Sequence, residues 1–140
     1  MKIVALLLLA AALLAGPTAC SSVSARKVID LSRYKHFYVE HRLADNHRID
    51  EQIVAELKAL GLDASCGYLT MKPDGVDAII AYEDRWTWDF KTYLIDFKLT
   101  MRDQRTNKQV ADGSFHQASL TTKSSEEVIR EVLGKLLRSG

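Results

Sequence analysis

The sequence predicts an α+β domain: a two-layer sandwich with a mixed sheet of about five strands, in the order β-α-β-β-β-β-α, and both helices on one face. Three observations carry this. The stretch Val76 to Met101 alternates apolar and polar residues twice in succession, as half-buried strands do. Ile49, Ile53, Leu57 and Leu60 recur at helical spacing, and so do Val128, Ile129, Val132, Leu133, Leu136 and Leu137. Each helix then has one apolar face and the sheet has one, and laying one on the other is the economical solution.

The chain of 140 residues suits one domain. Its net charge is +1, and one of its 19 basic residues, Lys2, lies at the very start; the remainder balances 18 basic against 18 acidic residues. A chain with no basic excess has no charge-driven attraction for nucleic acid or for an anionic membrane.

Met1 to Ala19 reads as a signal peptide: one positive residue, an apolar run from Ile3 to Ala15, then small residues. The run is short against the roughly 20 apolar residues that a spanning helix needs. Cys20 follows directly, with Ser21 and Ser22 behind it. This segment resembles that of a small bacterial lipoprotein of the outer-membrane type. Thr18 and Ala19 fit the lipobox of that family, and Pro17 stands where the family usually has Leu. The resemblance implies that Cys20 is lipidated and becomes the mature amino terminus, and that Ser21, not being Asp, sends the protein to the outer membrane, facing the periplasm. The rival reading is ordinary cleavage after Ala25, where Val23-Ser24-Ala25 has small residues at the right spacing. Residues 20–31 read as a lipidated, polar tether, and 32–140 as a single periplasmic domain.

Within that domain, Tyr34 to Glu40 is the first expected strand. Asn46 is the expected cap of the first helix, and Gly61 its stop, with Leu62 packing back on Leu57. Leu62 to Cys66 is a short strand, and Lys72-Pro73-Asp74-Gly75 a turn into the main hairpin. The hairpin's first arm places Val76, Ala78, Ile80, Tyr82, Trp86, Trp88 and Phe90 on one face; its second places Tyr93, Ile95, Phe97, Leu99 and Met101 together. The tryptophans are then core. Asp84 interrupts the apolar parity. Either a bulge around Glu83 to Arg85 turns it outward, or it is buried and needs a partner. Gln109 to Gln117 is the last strand, with Gly113 expected at an edge or bulge. Ser124 and Glu127 form a capping box for the closing helix. In element order the chain is loosely similar to the lipopolysaccharide-assembly lipoprotein and to the amino-terminal domain of TolB, a resemblance that carries no functional residue with it.

The candidate binding residues are Asp84, Arg85, Trp86, Trp88 and Asp89: charged groups beside indoles that offer stacking faces for a sugar or a peptide. Opposed to this stands the reading in which the indoles are core and the charges a solvated edge. His36, His41, His47 and His116 show no metal-ligand spacing, so no metal and no cofactor is expected. There is no nucleophile elbow and no phosphate-binding glycine loop. With Cys20 lipidated, Cys66 is left as a lone thiol, expected to be buried. The resulting expectation is a non-enzymatic, membrane-anchored binding or envelope-assembly module, held to the membrane through the lipid on Cys20 and meeting an envelope protein or component. The alternative is a small-molecule or glycan binder, a hydrolytic one included, that uses Trp86 and Trp88. A deep pocket beside the tryptophans favours the second; a flat apolar patch or an open edge favours the first.

Overall fold

The computed structural model describes residues 20–118 and 123–138. The expected signal peptide, Met1 to Ala19, lies outside the described residues. Among the described residues six strands and two α-helices follow one another, with a short 3-10 helix at Leu69–Met71: β1 Ser21–Lys27, β2 His36–Glu40, α1 Ile49–Ala59, β3 Asp63–Gly67, β4 Ala78–Asp89, β5 Lys91–Asp103, β6 Gln109–Gln117 and α2 Ser125–Leu137. The sheet order is β1-β6-β5-β4-β2-β3. β2 runs parallel to β3 and β4, and the other pairs are antiparallel. The α+β class and the mixed sheet agree with the sequence, with six strands in place of five.

The additional strand, β1, occupies the stretch expected to be a tether. It pairs with β6 from Ser21 opposite Gln117 to Lys27 opposite Ala111. Val23 packs against the core, while Ser24 and Arg26, on the other face, meet Ser114 (2.7 Å) and Asp112 (2.8 Å). Its alternation is carried by small and polar side chains, so hydrophobic periodicity gave no signal there.

Ile49, Ile53 and Leu57 of α1, and Val128, Ile129, Val132, Leu133 and Leu136 of α2, are fully buried against Phe37, Val39, Ile80, Phe97, Leu99 and Phe115 of the sheet. The helices also meet each other, the Ser125 hydroxyl lying 2.7 Å from the Gln52 side-chain oxygen. Gly61 (φ 81°) ends α1 as expected: its N–H donates to Lys58 O and that of Leu62 to Leu57 O, the paired bonds of a Schellman motif. The Ser124–Glu127 capping box of α2 is present in both directions. The start of α1 differs from expectation. Arg48 is left-handed (φ 56°), so the helix begins later, and Asp45 rather than Asn46 accepts from the N–H groups of His47 (2.9 Å) and Ile49 (2.7 Å).

Gly113 is neither at an edge nor in a bulge. It sits between β1 and β5, where a Cβ would come within 2.6 Å of Val132 Cγ1. Its lack of a side chain lets α2 lie close on the sheet.

The β4–β5 pairing is irregular at one point. Arg85 lies opposite Asp96 and Trp86 opposite Leu94, which leaves Ile95 as the extra residue. The bulge is thus on β5, not at Glu83 to Arg85, and Asp84 keeps its inward parity. The phase change falls on β5 instead, where Leu94 rather than Tyr93 or Ile95 joins the core cluster. Among the described residues, β2 pairs with β4 only from Ala78 to Ile80, and β6 pairs with β5 only as far as Asp96. The end of the hairpin therefore projects as a two-stranded ribbon. Asp89 pairs with Lys91, and Phe90 makes the turn alone at φ 60°.

Candidate functional site

Five residues were expected to form a site, and the structure separates them into three places. Asp84 and Trp86 face the helices. Arg85 faces the opposite side of the sheet. Trp88 and Asp89 stand at the end of the ribbon.

Asp84 is half-buried, its side chain nearly covered, and it has partners. Its carboxylate accepts from Arg42 Nη1 and from Trp86 Nε1 (2.7 Å). The Trp86 ring is stacked on His47, centroids 3.7 Å apart and 12° from parallel. The Arg42 guanidinium lies 5.6 Å from the centre of the Tyr82 ring, and the Tyr82 hydroxyl donates to Asp45 (2.6 Å), the carboxylate that caps α1. Burial raises the Asp45 carboxyl, but the Tyr82 hydroxyl and the N–H groups of His47, Asp50 and Ile49 outweigh it and hold the group below the ordinary aspartate range. Burial pushes the Tyr82 hydroxyl up, and the Asp45 carboxylate adds to that. These groups satisfy one another. What they do is fasten residues 41–48 to the middle of β4, and the motif that sequence reasoning missed is this pairing of Arg42, Asp45 and His47 with Asp84, Tyr82 and Trp86, residues some forty positions apart.

Arg85 belongs to a charged row on the other face, with Asp96 between it and His116, whose Nδ1 is 2.6 Å from the carboxylate. The His116 hydrogen bond comes first among the influences that hold Asp96 below its ordinary range. Beside α1, His41 Nδ1 is 2.8 Å from the buried Asp50, which also faces Cys66. Cys66 is half-buried and packs on the core. Burial, with the Asp50 charge second, pushes its thiol up to about 11, so the thiolate that reacts as a nucleophile is scarce at neutral pH. Among the described residues, no group of three His, Cys, Asp or Glu side chains is gathered to hold a metal ion.

Trp88 and Phe90 are the correction to the core expectation. Trp88 is 72% exposed and Phe90 94%, their ring centres 6.4 Å apart. The alternation that marked Trp88 as inward is real, but the ribbon has passed beyond the helices by then. Parity decides which way a side chain points, not whether anything lies there to cover it. The depressions described on the surface are open and none is lined by Trp86, Trp88 or Phe90; the charged hollow among Arg42, Glu83, Asp84, Arg85, Asp96 and Lys98 is the one among them where two of the five candidate residues, Asp84 and Arg85, meet. The arrangement offers an exposed aromatic tip rather than a cleft.

No family model matches the chain, and no curated protein matches it. Solved structures do. A single-substitution variant of the PelC dodecamer from Paraburkholderia phytofirmans is similar with a TM-score of 0.65 at 13% identity, covering 83% of this chain and 98% of that one. The PelC dodecamer from the same organism in a second crystal form gives 0.63 over the same shares, also at 13% identity. A minor lipoprotein from Acinetobacter baumannii reaches only 0.36, at 16% identity over 73% of this chain and 87% of that one, too distant to carry an argument. At such identities the likeness to PelC establishes the fold alone.

Proposed function

We propose that the protein is a lipid-anchored, non-enzymatic module of the bacterial envelope that works as an assembly of several copies. The observation that carries the anchoring is where β1 begins. Pairing starts at Ser21, the residue after Cys20. A mature chain that starts at Cys20 keeps the whole strand. Cleavage after Ala25, the rival site, would remove Val23 from the core and leave only Arg26 and Lys27 of the strand, uncovering the edge of β6. Self-association is supported by the likeness of fold, across nearly all of its length, to a protein described as a dodecamer. A protruding apolar tip suits a module that recognises surfaces. The mutual pairing of Asp84, Arg42 and Trp86 and the raised Cys66 thiol favour scaffolding over catalysis.

Cys20→Ala tests the anchoring, because Cys20 alone has the position for the acyl chain. The variant is expected to lose its lipid and its detergent-dependent extraction from the envelope. Native mass spectrometry of the detergent-extracted wild type tests the assembly: a discrete oligomer is expected, and a monomer at micromolar concentration would exclude it.

A further inference from the structure

The end of the sheet that carries Cys20 also carries the aromatic tip. Ser21 lies opposite Gln117, one residue past the pair His116–Asp96, and Asp96 lies opposite Arg85. The start of β1 therefore stands level with Trp86, and Cys20 one residue beyond it. Phe90 is four residues beyond Trp86, about 13 Å further along at the rise of a strand. Sideways, β1 and β4 are separated by three strand intervals, about 14 Å. An acyl chain on Cys20 cannot hold the domain at arm's length, since the chain is already paired from Ser21 onwards. The ribbon then reaches about 10 Å past the anchoring cysteine toward the bilayer.

We infer that the Trp88–Phe90 tip is a second membrane contact, entering the interface of the bilayer in which the Cys20 lipid is seated. This rests on the lipid anchoring proposed above. A depth of about 5–10 Å is where interfacial aromatic and apolar groups settle, and Trp is favoured at that level because its ring is apolar with one polar edge. Asp89 and Lys91 lie opposite each other at the base of the tip, where the headgroups would be, and their charges cancel. The contact is accordingly apolar rather than electrostatic, in keeping with the balanced charge of the chain. Phe90 adds an independent sign. A bulky residue with positive φ is strained, and glycine would serve the turn better. A large exposed apolar side chain in a turn that disfavours it points to a use for that side chain. One anchor from an acyl chain and a second from the tip would also fix the tilt of the domain, which matters to an assembly whose copies must share an orientation.

The test uses the lipidated full-length protein in vesicles of phosphatidylethanolamine and phosphatidylglycerol, some with brominated acyl chains. Flotation reports anchoring. The emission of Trp88 is read as wild type minus Trp88→Phe, which leaves the Trp86 signal common to both. The expected result is flotation, loss of most Trp88 emission in brominated vesicles, protection of Trp88 from aqueous iodide, and the same quenching without phosphatidylglycerol. Flotation with Trp88 quenched by iodide and not by bromine overturns the inference and leaves the anchoring intact. Flotation with protection from both quenchers overturns it too, and makes a second copy or another protein the occupant. Failure to float overturns the anchoring and the membrane contact together.

Discussion

Asp45 shows how a single carboxylate decides where an element begins. It serves the first N–H groups of α1 and also accepts from the buried Tyr82, so it ties helix, loop and sheet together. Asn46, next to it, caps nothing. Asp45→Ala should cost about 2 kcal/mol, the loss of a cap plus a stranded hydroxyl, whereas Asn46→Ala should be close to neutral. Urea midpoints at pH 7 measure both. Because the folded state holds the Asp45 carboxyl below its ordinary value, the stability that it adds is complete above the unfolded value of about 3.9 and is lost as the pH falls through the lower folded one. The difference between wild type and Asp45→Ala should therefore be constant near neutrality and shrink in acid. Equal costs for the two substitutions would show that the cap lies elsewhere. The sequence contains both Asp45 and Asn46, and either is a plausible cap; what selects between them is the left-handed turn at Arg48, which no local preference of an arginine foretells.

Between elements, two positions invert what their residue types suggest. A tryptophan in a strand suggests core, and a glycine in a strand suggests weakness. Here Gly113 is the packed position and Trp88 the free one. Gly113→Ala should cost about 1–3 kcal/mol, since the new methyl group meets Val132, and trimming Val132 to Ala in the same chain should recover part of that loss. Trp88→Ala in the full chain should change stability by about 0.5 kcal/mol or less. Chemical denaturation with both variants checks the pair, and a large cost at Trp88 would mean that the tip is covered within the monomer. Helix stripes, the Gly61 stop, the capping box and the hairpin were legible because each is a local pattern: a period, or two residues a few positions apart. The bulge at Ile95, the contact at Gly113 and the Arg42–Asp84 pair were not, because each depends on what another element places opposite. The sequence offered Asp84 two outcomes, and the inward and paired one holds because the extra residue falls on β5.

For the molecule as a whole, the class and the element order from β2 onward could be read from apolar periodicity, and the placement of the candidate residues could not. Asp84, Arg85, Trp86, Trp88 and Asp89 are neighbours along the chain, but a strand sends neighbours to opposite faces, and the ribbon carries two of them away from the body. β1 escaped detection for a related reason: an edge strand that buries only small side chains has almost no hydrophobic signature, and its serines and Arg26 read as solvated chain. On the anchoring proposed above, β1 would mount the sheet directly beside the lipid rather than on a loose tether, because pairing starts at Ser21. The measurement that bears most directly on this is the intact mass of the mature protein taken from the membrane fraction, with its amino-terminal peptide sequenced. The expected result is a chain that begins at Cys20 and carries acyl groups there, with β1 complete; an unacylated chain that begins at Arg26 would contradict it, and with it the mounting of the domain on the membrane.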